Sequence, residues 1–156
     1  MVSRLSPGDP VPDFSLEADD GSQVALADLA GNRIVLYFYP KDDTSGCTTE
    51  ACDFRDLEQD FSTAGARIIG VSPDSIASHV KFRDKHDLPF TLLSDPDHSL
   101  AEAFGVWVKK KMYDREYMGV ERSTFVIADG TIEQALYKVR PKGHAEEVLE
   151  GLASGE

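Results

Sequence analysis

The chain has 156 residues, of which 41% are apolar and 28% are charged, and its formal net charge at pH 7 is −12. This length and composition predict a single globular domain over residues 1–156, large enough to bury a core without disulfide or metal cross-links. The negative charge disfavours binding to nucleic acids or anionic membranes. The lack of a long apolar segment disfavours a signal peptide or membrane span, so we expect a cytoplasmic protein.

The N-terminal region predicts a β-hairpin followed by a buried strand. Apolar and polar residues alternate over Phe14–Ala18, a turn signal follows at Asp20-Gly21, and apolar residues return over Val24–Leu26. Asp28–Gly31 predicts a short helical turn. The strand Arg33–Tyr39 has a continuous apolar centre, which is typical of a central strand that is covered on both faces.

The segment after this strand holds both cysteines of the chain, Cys47 and Cys52. Pro40 ends the strand, and apolar residues recur at helical spacing from about Thr48 to about Ala64. Cys47 is therefore expected in the first turn of a helix, where unpaired backbone N–H groups and the positive end of the helix dipole stabilise a thiolate. This is the position of a reactive cysteine.

The spacing of the two cysteines also predicts a conformational change. Cys52 follows Cys47 by five positions on the same helix, and ideal geometry separates their Cα atoms by roughly 8–9 Å. A disulfide requires a separation below about 7 Å. The pair can therefore form a disulfide only if the first helical turns unwind, which indicates a redox pair rather than a structural cross-link.

Beyond this helix, strand and helix patterns alternate, which implies parallel strands joined by crossover helices. The predicted elements are strand Arg67–Val71, helix Ser75–Lys85, a strand within Leu88–Leu93, a short helix Ser99–Phe104, a hairpin of Ser123–Ala128 and Thr131–Val139, and helix His144–Leu152. Residues 105–121 begin with the apolar residues Val106–Val108, continue with the basic run Lys109–Lys111, which we interpret as a solvated face, and end in a mixed loop. The order of elements predicts an α/β fold with a central mixed sheet and helices on both faces.

The motif Pro40-x-x-x-Thr44-x-x-Cys47, followed by Thr48-Thr-Glu-Ala-Cys52, resembles the peroxiredoxins, specifically the Q-type (bacterioferritin comigratory protein) subfamily. Further landmarks of that subfamily occur in the expected order at Gly8–Phe14, Gly70–Asp74, Leu93–Asp97, Phe104–Trp107, Lys111–Tyr113 and Arg122–Val126. The resemblance covers roughly residues 7–150. It implies a thioredoxin fold of the peroxiredoxin type, with an N-terminal β-hairpin extension.

Peroxide reduction by a thiol requires more than a thiolate. A free thiol with a pKa of about 8.5 is about 3% ionised at pH 7, so ionisation alone gains at most about two orders of magnitude in rate. Hydrogen-bond donors must also stabilise the charge that develops as the O–O bond breaks. The candidate donors are Arg122, the hydroxyl of Thr44, and the backbone N–H groups of Gly46 and Cys47.

The resemblance assigns roles to these residues and implies a catalytic cycle. Thr44 orients the peroxide, Arg122 polarises it, and Pro40 shields the site from water. Cys47 is the peroxidatic cysteine that becomes a sulfenic acid, and Cys52 is the resolving cysteine that forms an intramolecular disulfide with it. Thioredoxin, or a glutaredoxin-like dithiol donor, then restores both thiols. We expect the enzyme to be a monomer that acts on hydrogen peroxide and organic hydroperoxides.

Two other functions remain open for a pair of cysteines. A thioredoxin-like disulfide oxidoreductase is disfavoured because the spacing is Cys-x4-Cys and not Cys-x-x-Cys. A redox-sensing binding module would use the same cysteine switch to change partners, and it would be oxidised once without turning over. Peroxide turnover in the presence of a reductant distinguishes the peroxidase from both.

The remaining polar and aromatic candidates have less specific patterns. Glu50 is either a first-turn acid favoured by the helix dipole or a site residue, and Trp107 is predicted to be core or pocket wall. Asp95 and Asp97 are predicted to cap the helix that follows them. The four histidines, His79, His86, His98 and His144, share no metal-ligand spacing, so we expect neither a metal nor a cofactor.

Overall fold

In the computed structural model, which describes residues 4–29, 31 and 33–154, a seven-stranded mixed sheet forms the centre of the fold. The strands are β1 (Ser15–Ala18), β2 (Gln23–Ala25), β3 (Arg33–Phe38), β4 (Ala66–Ser72), β5 (Thr91–Ser94), β6 (Trp107–Met112), β7 (Arg115–Val120), β8 (Ser123–Ala128) and β9 (Thr131–Leu136). The helices are α1 (Ser45–Thr63), α2 (Ile76–His86), α3 (Ser99–Ala103) and α4 (His144–Ser154).

The order of the strands places β3 in the interior of the sheet. The order is β2-β1-β5-β4-β3-β8-β9, with β3, β4 and β5 parallel and the other neighbours antiparallel. The predicted N-terminal hairpin is present as β1 and β2, and β1 pairs with β5 at the edge of the sheet. The central mixed sheet, its helices and this hairpin confirm the fold class that the sequence predicts.

β3 separates two hydrophobic clusters because successive side chains of a strand point to opposite faces of the sheet. Val35 and Tyr37 contribute to a cluster that also contains buried residues of α1, α2 and α4. Leu36 and Phe38 contribute to the other cluster, together with residues of α3 and with Phe104. Burial on both faces explains why this strand has a continuous apolar sequence.

The boundaries of α1 define the position of the first cysteine. The helix begins at Ser45, three residues before the predicted start, and Thr44 is its N-cap in an extended conformation. Gly65 follows the last turn with a φ of +79°, which a glycine adopts at little cost, so the predicted stop is confirmed. The predicted helical turn at Asp28–Gly31 is instead a 3-10 turn at Leu26–Leu29, and Ala30 lies outside the described residues.

The prediction of a mixed loop after Lys111 is wrong, because this part of the chain contains β7. β6 and β7 form a separate two-stranded sheet within the described residues, paired from Trp107↔Val120 to Met112↔Arg115. Most of β7 is exposed, and only its last residue, Val120, is buried. The exposed residues of β7 lack the period-two alternation of apolar residues by which a strand is recognised in a sequence.

Two smaller predictions concern single side chains. The carboxylate of Asp95 accepts hydrogen bonds from the backbone N–H groups of Leu100 and Ala101, which confirms that it caps α3. Trp107 is half-buried against the cluster that contains Phe104, and its ring stacks on His98 with centroids 3.9 Å apart.

In the part of the chain that the structure describes, no helix is long and apolar enough to cross a membrane.

Candidate active site

Cys47 lies in the first turn of α1, at the end of the central strand. Its side chain is only 1% exposed and packs in the cluster that contains Tyr37 and Phe54. The first backbone N–H groups of a helix lack intrahelical partners and form the positive end of the helix dipole. The sulfur of Cys47 lies close to this end. Both Cys47 and Cys52 are thiols in this structure.

A guanidinium contacts the sulfur directly. Arg122, in the connection between β7 and β8, donates from Nη2 to Cys47 Sγ at 3.2 Å and from Nη1 to Glu50 Oε1 at 2.6 Å. Burial of the guanidinium lowers the pKa of Arg122, but the charges of Glu50 and Cys47 outweigh this effect and raise it. Arg122 therefore holds a fixed positive charge against the sulfur.

Gly46 provides the space in which the guanidinium reaches the sulfur. A Cβ atom at this position would lie 3.2 Å from Nη2 of Arg122 and 3.3 Å from Cγ of Pro141. Either contact is tighter than an ordinary van der Waals contact and would move the guanidinium or the proline. The residue before Cys47 is thus part of the geometry that brings Arg122 to the thiol.

Glu50 belongs to this site, although the sequence alone did not distinguish a site residue from a first-turn acid at this position. It is fully buried and follows Cys47 by three positions, so both side chains lie on the same face of α1. Burial raises the pKa of Glu50 to about 7, although the charge and hydrogen bond of Arg122 oppose the shift. Its second oxygen, Oε2, and the hydroxyl of Tyr37 have no hydrogen-bond partner among the described residues. The i, i+3 spacing to the cysteine was the signal that could have identified Glu50.

We predict that Glu50 makes the stability of the reduced protein fall as the pH rises from 4.5 to 7. In this range the folded protein retains a proton at Glu50 that the unfolded chain releases, because its pKa is raised from 4.5 to about 7. At about 1.4 kcal/mol per pKa unit, the shift corresponds to roughly 3 kcal/mol. The Glu50→Gln variant should lose this slope, which urea unfolding at pH 5 and pH 8 measures.

The matched control for this prediction is Glu146→Gln, which replaces an exposed acid in the first turn of α4. Its unfolding free energy should follow that of the wild type at both pH values. Equal pH slopes for the wild type and Glu50→Gln would contradict the assignment of the titration to Glu50.

Three other predicted site residues, Thr44, Pro40 and Cys52, make no hydrogen bond to the sulfur of Cys47. The Thr44 side chain is exposed, and its hydroxyl donates to the carbonyl oxygen of Lys41 at 2.9 Å. Pro40 is half-buried at the end of β3, and Cys52 is half-buried on the intact helix α1. The structure therefore brings Arg122 and Glu50 to the sulfur and leaves Cys52 on the same rigid element, without a hydrogen bond to Cys47.

A basic cavity of about 450 Å³ opens beside Arg122. Lys110 on β6 is half-buried in its wall, and burial together with the charge of Arg122 lowers the pKa of this lysine. Only Lys109 and Lys111 are exposed as the sequence predicts, so the basic run is not wholly solvated. The other residues that line the cavity are Val108, Tyr117, Glu121, Lys138 and Val139.

One group of potential metal ligands occurs among the described residues. Asp42, Asp74 and His79 bring ligand atoms within 4.8 Å of one another, although their sequence spacing gave no sign of it. Nδ1 of His79 lies 2.7 Å from Asp42 Oδ2, and its Nε2 lies 2.9 Å from the carbonyl oxygen of Leu93. A carbonyl oxygen only accepts hydrogen bonds, so Nε2 carries a proton and both ring nitrogens are engaged.

Comparison with known proteins gives a consistent set of relatives. The model of the AhpC/TSA family matches residues 7–135. "Peroxiredoxin Bcp" of Bacillus subtilis is 55% identical over 146 residues, which are 93% of each chain. A structure of a Xylella fastidiosa PrxQ mutant superposes with a TM-score of 0.92 at 39% identity, covering 97% of this chain and 98% of the other. A structure of the Xanthomonas campestris bacterioferritin comigratory protein, whose alkyl peroxide reduction activity was the subject of that work, gives a TM-score of 0.88 at 42% identity over both whole chains.

Proposed function

Because the chain belongs to the AhpC/TSA family, as a peroxiredoxin of the Q/Bcp type with peroxidase activity, we propose that Cys47 reduces hydrogen peroxide and organic hydroperoxides. We propose further that Cys52 resolves the oxidised cysteine and that a dithiol protein restores both thiols. The observation that carries the proposal is the contact between Arg122 Nη2 and Cys47 Sγ, at 3.2 Å, in the first turn of α1.

The first step breaks the O–O bond of the peroxide. The thiolate of Cys47 attacks one oxygen, which becomes the hydroxyl of a sulfenic acid, and the other oxygen leaves with the bonding electrons and takes up a proton to give water or an alcohol. Arg122 is placed to stabilise the negative charge on both the sulfur and the leaving oxygen. The backbone N–H groups of Gly46 and Cys47 add donors at the end of the helix.

Thr44 and Pro40 have supporting roles in this step. The Thr44 hydroxyl donates its proton to the carbonyl of Lys41, so its oxygen remains able to accept a hydrogen bond from the O–H of a hydroperoxide. Its exposure leaves it accessible to a substrate. Pro40, which lacks a backbone N–H group, covers the side of the site at the end of β3.

The second and third steps return the enzyme to its reduced form. The thiolate of Cys52 attacks the sulfur of the Cys47 sulfenic acid, an S–S bond forms, and the hydroxyl leaves as water after protonation. A dithiol donor then exchanges with the disulfide and becomes oxidised itself. Thioredoxin is the donor that we propose, with a glutaredoxin-like protein as the alternative, and we infer a monomer because both cysteines lie in one chain.

Steady-state peroxide consumption with thioredoxin and its reductase tests the function. The wild-type protein should consume hydrogen peroxide and tert-butyl hydroperoxide over many turnovers, and it should leave insulin disulfides intact. Reduction of insulin without peroxide consumption would indicate a disulfide oxidoreductase. Consumption of a single equivalent, with no turnover on addition of reductant, would indicate a redox sensor.

We predict that Arg122→Met slows the oxidation of Cys47 by a factor of about 10²–10³, because loss of one donor that stabilises developing charge has this effect in other enzymes. Arg122→Lys should fall between this variant and the wild type, since it keeps the charge but not the two-pronged geometry by which Arg122 contacts Cys47 and Glu50. Stopped-flow oxidation with one equivalent of peroxide gives the rates.

The control variant is Arg33→Met, which removes a half-buried arginine that pairs with Glu133. Its oxidation rate should equal that of the wild type. An Arg122→Met protein that reacts at the wild-type rate would remove Arg122 from the mechanism.

A further inference from the structure

The carboxylate of Asp42 lies at the centre of a buried hydrogen-bond network next to the active-site helix. Its Oδ1 accepts from the hydroxyl of Tyr39 at 2.6 Å, and its Oδ2 accepts from Ser78 Oγ at 2.8 Å. The same Oδ2 lies 2.7 Å from Nδ1 of His79. The network therefore joins the end of β3 and helix α2 to the loop that leads into α1.

His79 carries a positive charge in this network. It is fully buried, and its two ring nitrogens face the Asp42 carboxylate and the carbonyl oxygen of Leu93. Since both partners are acceptors, both nitrogens must donate, which is the imidazolium form. Burial alone lowers the pKa of His79, but the hydrogen bond and charge of Asp42, with a smaller contribution from Asp74, raise it overall.

We propose that His79 is a positioning residue for peroxide reduction: its imidazolium holds Asp42, and through Asp42 it fixes the loop of residues 40–44 that precedes Cys47. This inference rests on the proposed peroxidase function and extends it to a residue 32 positions from the cysteine. It also assigns a role to the buried charge pair of Asp42 and His79, which takes no part in the chemistry at the sulfur.

The loop has few other means of keeping its conformation. The backbone N–H of Asp42 donates to Asp74 Oδ2 at 2.7 Å, and the carbonyl of the next residue back, Lys41, receives the hydroxyl of Thr44. Asp43 has a φ of 60°, a strained value for a residue with a side chain. If Asp42 is released, the carbonyl that holds Thr44 moves with it, and the group proposed to orient the peroxide is displaced.

The loop is also held from outside, at a second place on α2. The carboxylate of Asp43 accepts from Nζ of Lys85 at 2.8 Å and lies 3.3 Å from Nε2 of His86, and the Asp43 side chain is itself exposed. An exposed pair contributes little because water screens it, whereas the pair of Asp42 and His79 is buried, with side chains 3% and 0% exposed. Loss of His79 leaves the Asp42 carboxylate desolvated and without a counter-charge, with only the hydroxyls of Tyr39 and Ser78 donating to it.

The experiment compares His79→Gln with Arg83→Gln, a control on the same helix that breaks the partly buried ion pair of Arg83 with Asp19. Stopped-flow oxidation by one equivalent of hydrogen peroxide is followed at pH 6.5. We expect His79→Gln to react at least about tenfold more slowly than the wild type. Arg83→Gln also loses an ion pair of α2, and it should keep the wild-type rate.

An NMR titration of wild-type protein with labelled histidine tests the same inference without any substitution. Signals of His79 should report an imidazolium at pH 7, and a neutral ring at that pH would overturn the inference. An oxidation rate of His79→Gln within about twofold of the wild type would also overturn it. If that variant does not fold, Asp42→Asn takes its place with the same expected loss of rate. A wild-type protein that does not react with peroxide would contradict the proposed function, whereas an unaffected His79→Gln in a reactive background contradicts this inference alone.

Discussion

Replacement of Cys47 by serine is expected to abolish peroxide reduction, whereas replacement of Cys52 by serine should preserve the first reaction and block every later one. A serine hydroxyl at position 47 remains protonated at neutral pH even beside Arg122, so it offers no anionic nucleophile to the peroxide. Cys52 lies on the intact helix α1 and is not disulfide-bonded to Cys47. Its loss should therefore change the rate of the first oxidation by no more than about twofold.

Two measurements separate the roles of the cysteines. Stopped-flow oxidation gives the first step, and mass spectrometry of the Cys52→Ser product should show the gain of one oxygen atom at Cys47, followed by further oxidation in excess peroxide. Turnover with thioredoxin should be absent in both variants. A Cys52→Ser protein that cycles normally would show that Cys52 is not the resolving thiol, and a Cys47→Ser protein that consumes peroxide would place the reaction elsewhere.

The features that the sequence predicted are those encoded by local periodicity. The apolar run of β3 and the helical spacing of Ala51, Phe54, Leu57 and Phe61 correspond to buried positions, except that Leu57 is half-buried, because hydrophobic burial follows the period of the element. The end of a central strand and the start of a helix then locate Cys47 without any long-range information. The position of Cys47 was for this reason the most predictable part of the candidate site.

The features that the sequence did not predict depend on contacts between distant residues. Arg122 and Glu50 are 72 positions apart, and Asp42 and His79 are 37 positions apart. Asp42 resembles an ordinary turn residue, and His79 is one polar residue among several on the predicted helix Ser75–Lys85. The structure buries it together with Phe82. Buried polar pairs leave no periodic signal, since each partner is polar on its own.

Oxidation is expected to unwind α1 from about Gly46 to Phe54. Ideal helix geometry places the Cα atoms of Cys47 and Cys52 roughly 8–9 Å apart, and a disulfide needs a separation below about 7 Å. The structure adds a cost that the sequence did not indicate, because unwinding must also separate Glu50 from Arg122. The helix that remains has its own attachments to the fold: Phe61 is fully buried, and Arg55 Nη1 donates to the carbonyl of His86 at 2.8 Å. These contacts place the end of the unwound segment near Arg55.

Hydrogen exchange of the reduced and oxidised proteins measures this change directly. Amides of residues 47–54 should exchange at least about a hundredfold faster after oxidation, since their helical hydrogen bonds are lost, while those of residues 58–63 should keep most of their protection. Cys52→Ser treated with one equivalent of peroxide is the matched control, because its sulfenic acid has no partner thiol and its helix should stay protected. Equal protection of residues 47–54 in the reduced and oxidised wild type would mean that the disulfide does not join these two cysteines. Loss of protection in the control as well would instead assign the unwinding to oxidation of Cys47 itself, with Cys52 captured afterwards by a segment that is already open.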